Sequence, residues 1–504
     1  MIKMAETIQR GRMTKAPAAE LAKHIMRPGM EAEMVRSYQS ICDVNKAHVL
    51  MLAKQGIIEN DVAKQILAIN QDIAAQQADP EFKVNPNLED LYFIMERYLI
   101  ARTSLEIGGQ QHTARSRNDL YATVHRIDTR RDYLKISSMF LALRKRFLEL
   151  AKTGYDMTLS GVTHLQPAEP ITLAHYYSAI LSAMQRDYRR LSAVWEALNE
   201  CPLGGTSMGS TTFNIDRQYT SKLLGFDKPV ENSLDCQMRD YAMELTAAMA
   251  MAGCNFSRFA MDHYLFATPE YGYIELDDSV AGSSSIMPQK KNPITLEHIK
   301  GKSGHFASFF MAVFCAQKNV PFMHCRDIAN ESMRFLPTAL SEFDATLDLF
   351  LATMRDIKYK PERMLDRARS NYCTITELAN WLVRTDKVSF RTAHEACGSL
   401  VAYMLEKNLR SDEITLDELN LNCQKHGFTS KLTAEQLKQA LDPQLSVHSK
   451  TCQGGTAKSE VERQLALLEE QISKDEATLT ARNVQIKEAK VQLEEATNQF
   501  IANH

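Results

Sequence analysis

Apolar residues recur every three or four positions through most of the chain. Between Asp128 and Lys152, Leu134, Phe140, Leu141, Phe147 and Leu148 fall on one helical face, and Tyr177, Leu181, Met184, Tyr188, Leu191, Trp195 and Leu198 do so next. Comparable stretches from about Met238 to Phe266 and from about Leu296 to Gln317 predict further helices, about 44 and 33 Å long. Period-two strand patterns are scarce, which leaves a parallel-sheet nucleotide fold little to build on. The spacing therefore predicts an all-α protein around a central bundle of long helices. After Gly454 and Gly455, Leu465, Ile472, Leu479, Ile486, Leu493 and Phe500 recur every seven residues. Their companions Leu468, Asp475, Arg482, Ala489 and Ala496 are mostly polar or small, so this seam reads as a long helix packed on its own protein rather than an independent coiled coil.

Breaks in the pattern suggest the organisation. Soft boundaries fall near Gln111 and near Lys360, where Lys358, Tyr359, Lys360 and Pro361 interrupt the helical spacing. The expected units are an N-terminal helical domain (1-111), a central helix-bundle domain (112-360), a C-terminal helical domain (361-458) and a helical extension (459-504). A chain of 504 residues that is 44% hydrophobic can bury several cores.

Charge and cysteine content narrow the function classes. Lys and Arg number 59 against 62 Asp and Glu, so no overall field draws the chain to nucleic acid or anionic membrane. Arg130-Arg131 and Arg189-Arg190 read as solvated helix faces rather than nucleic-acid contacts. Charges interrupt every apolar run before it approaches the roughly 20 residues that a membrane span needs. The first twenty residues lack the continuous apolar stretch of a secretory signal. Ten well-separated cysteines form no CxxC pair and suggest a reducing cytoplasm. No metal-ligand spacing or dinucleotide fingerprint occurs, and no cofactor is expected.

The stretch Gly282-Ser283-Ser284-Ser285-Ile286-Met287-Pro288-Gln289-Lys290-Lys291-Asn292-Pro293 sets hydroxyls, two cations and an amide just before a helix start near Thr295 or Leu296. Pro288 and Pro293 restrict it, and it suits a carboxylate. It could equally be a Ser-rich connector. Two further segments stand out: His112-Thr113-Ala114-Arg115-Ser116-Arg117-Asn118-Asp119 and Gly161-Val162-Thr163-His164-Leu165-Gln166-Pro167.

All three segments, in this order, resemble motifs of the fumarase and aspartase superfamily, and most closely those of the argininosuccinate lyase family. Glu89-Asp90, Cys201-Pro202-Leu203-Gly204, Arg239-Asp240 and Gln453-Gly454-Gly455-Thr456 extend the similarity. It runs from about residue 30 to about residue 465 and leaves the final helix outside. The resemblance implies a three-domain fold whose long helices form the core of a homotetramer, with each active site shared among three subunits. It also implies a carbon-nitrogen lyase of arginine biosynthesis that splits argininosuccinate into arginine and fumarate by β-elimination.

Carried over from the family, Ser284 is the base. His164 and its orienting carboxylate Glu297 form a pair at the site, and Ser116, Arg117, Asn118, Thr163, Arg239, Lys290 and Asn292 bind substrate. The chemistry needs such groups. Removing a proton beside a carboxylate builds a second negative charge that cations and preorganised donors must hold. A free hydroxyl is a poor base, so Ser284 needs its alkoxide stabilised by Lys290 and nearby loop amides. Taken singly, His164 would read as a buried, hydrogen-bonded histidine, Arg117 as a surface charge, Thr163 as a helix cap and Glu297 as a complement to a helix N-terminus.

The sequence departs from the family at His324, Ala329 and Ser332, where Tyr, Gln and Lys usually hold the arginine half of the substrate. Tyr92 replaces a usual His, and Ala114 and Ser283 replace glycines. Two alternatives therefore stand beside argininosuccinate cleavage. One is a relative that releases fumarate from another N-substituted aspartate, of the ethylenediamine-disuccinate type. The other is a non-catalytic, crystallin-like relative.

Overall fold

Seven long helices carry the architecture of the computed structural model, which describes Met13, residues 15–77 and residues 79–504. Most of the N-terminal segment read for a secretory signal lies outside the described residues. The helices are α1 (Tyr38–Lys54), α2 (Arg117–Thr153), α3 (Leu173–Leu198), α4 (Asp240–Phe266), α5 (Ile294–Gln317), α6 (Leu336–Arg355) and α7 (Lys458–Asn503). The all-α expectation holds. The 37 residues of α2 make a rod about 55 Å long and the 46 of α7 one about 69 Å long.

The apolar stripes read from the sequence face inward. Tyr177, Leu181, Met184, Tyr188, Leu191, Trp195 and Leu198 of α3 are all buried, in one core with Phe140 and Phe147 of α2, Phe256 of α4, Phe306 of α5 and Phe343 and Phe350 of α6. The rings interlock edge to face, as between Phe140 and Phe256 at 5.4 Å. Helices α4 and α5 approach closely because Gly253 has no side chain. A Cβ there would meet the Phe306 ring at 2.5 Å and the Ser303 carbonyl at 3.0 Å. A second core collects α1 with Leu120 and Val124 of α2 and Leu203, Leu223 and Phe226, and a third gathers residues between Leu378 and Leu441.

Helix α7 lies on its own chain. Leu465, Ile472 and Leu479 enter the central core and Leu493 the N-terminal one. The polar companion positions find partners on the surface they cross. Asp475 pairs with the buried Arg144 at 2.7 Å, and Arg482 donates to the Tyr133 hydroxyl at 3.0 Å. Glu494 accepts from the buried Lys46 at 2.7 Å.

One sequence reading is overturned. Arg130 is not on a solvated face. It is 2% exposed and donates to the Asn199 side chain and to the carbonyls of Leu224 and Gly225, all far from it in sequence. Strands are few and short, in keeping with the scarce period-two patterns; the longest pair is a β-hairpin, β1 (Thr158–Thr163) antiparallel to β2 (Gln166–Thr172). Among the described residues, no helix is long and apolar enough to cross a membrane.

Candidate active site

The serine loop is closed at its neck. Gly282 and Asn292 exchange two backbone hydrogen bonds of 2.8 Å, so residues 282–292 leave and return at one point. Gly282 sits so close to Ile294 that a Cβ would meet it at 2.7 Å, which ties the neck to the first turn of α5. Lys291 anchors the base through Asp278 at 2.6 Å and Glu275 at 3.3 Å. The tip projects, and Ile286 is 83% exposed.

Within this loop the Ser284 Oγ accepts the Met287 N–H at 3.0 Å and the Ile286 N–H at 3.4 Å. Two backbone dipoles therefore point at the one oxygen on which a base needs negative charge to rest. Asn292 donates from Nδ2 to the Ser283 carbonyl at 3.3 Å. Lys290 is exposed and has no ion pair among the described residues. Glu297 lies in the first turn of α5 and accepts from the Tyr264 hydroxyl at 3.2 Å.

Thr163 and His164 stand on the β-hairpin. Its two-residue turn is His164-Leu165, both at positive φ (54° and 60°), the backbone of a type I′ turn that normally takes Asn-Gly. Holding two side chains there costs on the order of 1 kcal/mol or more each, a strain typical of functional segments. The turn thrusts the His164 imidazole into solvent instead of burying it, and Thr163 ends a strand instead of capping a helix.

The third group surrounds the start of α2. Ser116 caps the helix in a capping box with Asp119. Asp119, fully buried, accepts the Ser116 N–H on one oxygen and the Gly204 and Thr206 N–H groups, at 2.8 and 3.0 Å, on the other. Its carboxylate thus binds the segment 112–119 to the loop that follows Cys201-Pro202-Leu203. Arg117 donates from Nη1 to Asp90 at 2.7 Å and Glu89 at 2.9 Å and lies over the Phe93 ring. Burial works against its charge, but Asp90 and Glu89 outweigh it and raise the Arg117 pKa. Asn118 donates its backbone N–H to the Ser116 hydroxyl. Ala114 sits at φ 58°, a conformation suited to the glycine it replaces.

Arg239 joins this group. It is 1% exposed and donates from Nη1 to the carbonyls of Gln237 and Met238, while its Nε and Nη2 are buried without partners. Burial pushes its pKa down to about 10. His324 is pushed down to about 4 by burial and then by Arg239, Arg326 and Arg117, which places a neutral imidazole among three guanidinium groups. His125 is pushed down to about 3 by burial, with Arg239 and Arg36 adding to it. A histidine in an unfolded chain titrates near 6.5, so the contribution of His125 is complete above that pH and lost as pH falls toward 3. Urea unfolding of His125→Gln should therefore depend less steeply on pH than that of the wild type. The wild type should lose about 2 kcal/mol more than the variant between pH 7 and pH 5.

Among the described residues no hydrogen bond or ion pair joins three sets of side chains: Ser284, Lys290 and Asn292 with Glu297; Thr163 and His164; and Ser116, Arg117 and Asn118 at the start of α2, with Arg117 and Arg239 both acting on His324. His164 and Glu297 are not paired with each other in the chain. Sequence reasoning did not give Asp119 its anchoring role, although the Ser116-x-x-Asp119 spacing of a capping box carries that signal. It also missed Tyr264 as the partner of Glu297, for which no local pattern exists. Among the described residues no group of three or more His, Cys, Asp or Glu side chains is placed to hold a metal ion.

The long-helix bundle with its serine loop defines an all-α lyase. A family model described as Lyase matches residues 20–307, and one described as Argininosuccinate lyase C-terminal matches residues 372–448. The chain is 40% identical to argininosuccinate lyase 1 of Shouchella clausii, over 92% of this chain and 94% of that one. It is 33% identical to the argininosuccinate lyase of Methanocaldococcus jannaschii, over 96% of this chain and 98% of that one. It belongs to the argininosuccinate lyase family. The second match must run into α7, so the likeness does not stop near residue 465 as the motifs alone suggested. Among solved structures, EDDS lyase in complex with formate superposes with a TM-score of 0.87 at 27% identity, covering 97% of both chains.

Proposed function

We propose that the chain cleaves argininosuccinate into arginine and fumarate at a site completed by three subunits of a homotetramer. In this reading the Ser284 alkoxide removes the proton from the succinyl carbon beside one carboxylate, and the electron pair passes into that carboxylate. The pair then returns to form the fumarate double bond as the carbon-nitrogen bond breaks, and the guanidino nitrogen leaves with both bonding electrons and is protonated. Lys290, Asn292, Thr163, Ser116, Arg117, Asn118 and Arg239 hold the succinate carboxylates and the charge that builds on them. His164, oriented by Glu297 of another subunit, stands at the leaving nitrogen. The observation that carries the reading is the pair of backbone N–H groups on the Ser284 oxygen.

The separate placement of the three groups supports a shared site, as does the strained, solvent-facing His164. Helices α4 and α5 also expose Met251, Met261, Met311 and Phe314, an apolar face suited to other subunits. A division at about residues 111, 360 and 458 follows the three apolar cores in part: α2, α7 and the segment from Cys201 to Phe226 reach across it, and Met364 joins the central core. A cytoplasmic location suits ten free thiols.

The departures at His324, Ala329 and Ser332, with the likeness to EDDS lyase, favour one second reading: cleavage of another N-substituted aspartate. Fumarate release from argininosuccinate, ethylenediamine-disuccinate and a panel of N-substituted aspartates separates the two. Argininosuccinate should give the highest kcat/KM. Release from ethylenediamine-disuccinate alone would establish the second reading, and release from none would establish a non-catalytic relative.

A further inference from the structure

A cleft of about 560 Å³ lies between α7 and helices α1 and α2, bordered by none of the residues assigned to the lyase site. Its floor is aliphatic, from Ile127 and Leu134 of α2, Leu223 and Leu224 at the end of the short helix Arg217–Leu223, and Ile486 of α7. Its volume falls in the range of small-molecule pockets. Floors of this kind are common; the polar lining is less so. Gln39 Oε1 and Asp43 Oδ1, one helical turn apart on α1, are both enclosed and accept no hydrogen bond. The fully buried Arg130 also lines the cleft, with an Nε that has no acceptor. Burial pushes the Asp43 carboxyl up to about 6 against the pull of Lys490 and Lys46. On the facing helix the exposed Lys487 and Lys490 border the same space.

These features select a ligand. A simple anion would meet the lysines but also two enclosed acceptors; a simple cation would satisfy the acceptors but face the lysines; a hydrocarbon would leave the acceptors unmet. A small molecule with both charges on an aliphatic frame satisfies all three surfaces. We propose that this cleft binds a zwitterionic amino acid with an aliphatic side chain, its ammonium on Asp43 and Gln39, its carboxylate on Lys487 and Lys490 and its side chain on the Leu134-Leu224-Ile486 floor. Since the walls come from α1, α2 and α7, the ligand joins the last helix to both cores that it crosses.

Calorimetric titration of the full-length protein with L-leucine tests this. The two single-charge analogues, 3-methylbutylamine and 4-methylpentanoate, serve as comparisons. The expected result is saturable binding of leucine with one site per chain, at least tenfold tighter than either analogue and weakened at least tenfold in both Asp43→Asn and Lys490→Met. Fumarate release by both variants should equal that of the wild type, so this outcome does not depend on the proposed lyase activity. Absence of leucine binding, equal binding of either analogue, or unchanged leucine affinity in Lys490→Met, an exposed position that folding tolerates, would overturn the proposal.

Discussion

Replacing Ser284 by alanine should lower kcat for fumarate release by about 10³-fold while leaving the fold and its thermal stability unchanged. The rate loss follows from the role of the hydroxyl oxygen, since a positioned base typically contributes about 10² to 10⁴. The unchanged stability follows from position. Ser284 lies in a projecting loop, and among the described residues its oxygen accepts from the N–H groups of Ile286 and Met287, which water can satisfy once the oxygen is gone. KM should change little, because Lys290, Asn292 and Arg117, the groups proposed to hold the succinate carboxylates, are left untouched. A fall in KM-side binding alone, with kcat preserved, would make Ser284 a binding residue. Steady-state kinetics on argininosuccinate, beside a thermal melt of the same preparation, distinguishes these outcomes.

Asp119→Ala should be the most destabilising single change near the site, by about 4 kcal/mol in urea unfolding. The substitution strands the N–H groups of Ser116, Gly204 and Thr206 in a site that is fully enclosed, and each unpaired buried donor costs about 1 to 3 kcal/mol. Burial raises the Asp119 pKa while its N–H partners and Arg115 pull it back, so the carboxylate is held by its bonds rather than by solvent. Asp119→Asn keeps one acceptor oxygen and should lose about half as much. Because Asp119 also fixes the start of α2, the alanine variant should lose lyase activity along with stability, with Arg117 and Asn118 released from their positions. A variant that unfolds at the wild-type urea concentration would show that the three bonds are replaced by others.

The serine loop was readable because its chemistry is local: eleven consecutive residues contain the proposed base, the cations and the amide. The helices were readable for a similar reason, since Tyr177 through Leu198 repeat at a spacing that only one helical face can satisfy. Arg130 was misread because its acceptors are carbonyls roughly 95 residues away, brought to it by tertiary packing. The hairpin went unread because its turn holds His164 and Leu165 where the usual signal is Asn-Gly, and because Pro167 and Pro170 stand in its second strand. The seven-residue seam of α7 was visible, but its polar half made sense only with Arg144, Tyr133 and Lys46 set opposite. What the single chain does not bring together is the proposed pair His164 and Glu297, which are exposed on separate elements.

That pairing is where the account is most exposed, and mixed oligomers test it directly. Ser284→Ala and His164→Ala chains, each inactive alone, should regain fumarate release from argininosuccinate when co-expressed, because some sites then draw an intact serine loop from one chain and an intact hairpin from the other. Co-expressed variants that assemble together yet stay as inactive as either parent would mean that one chain supplies both groups, and the shared-site account would be contradicted.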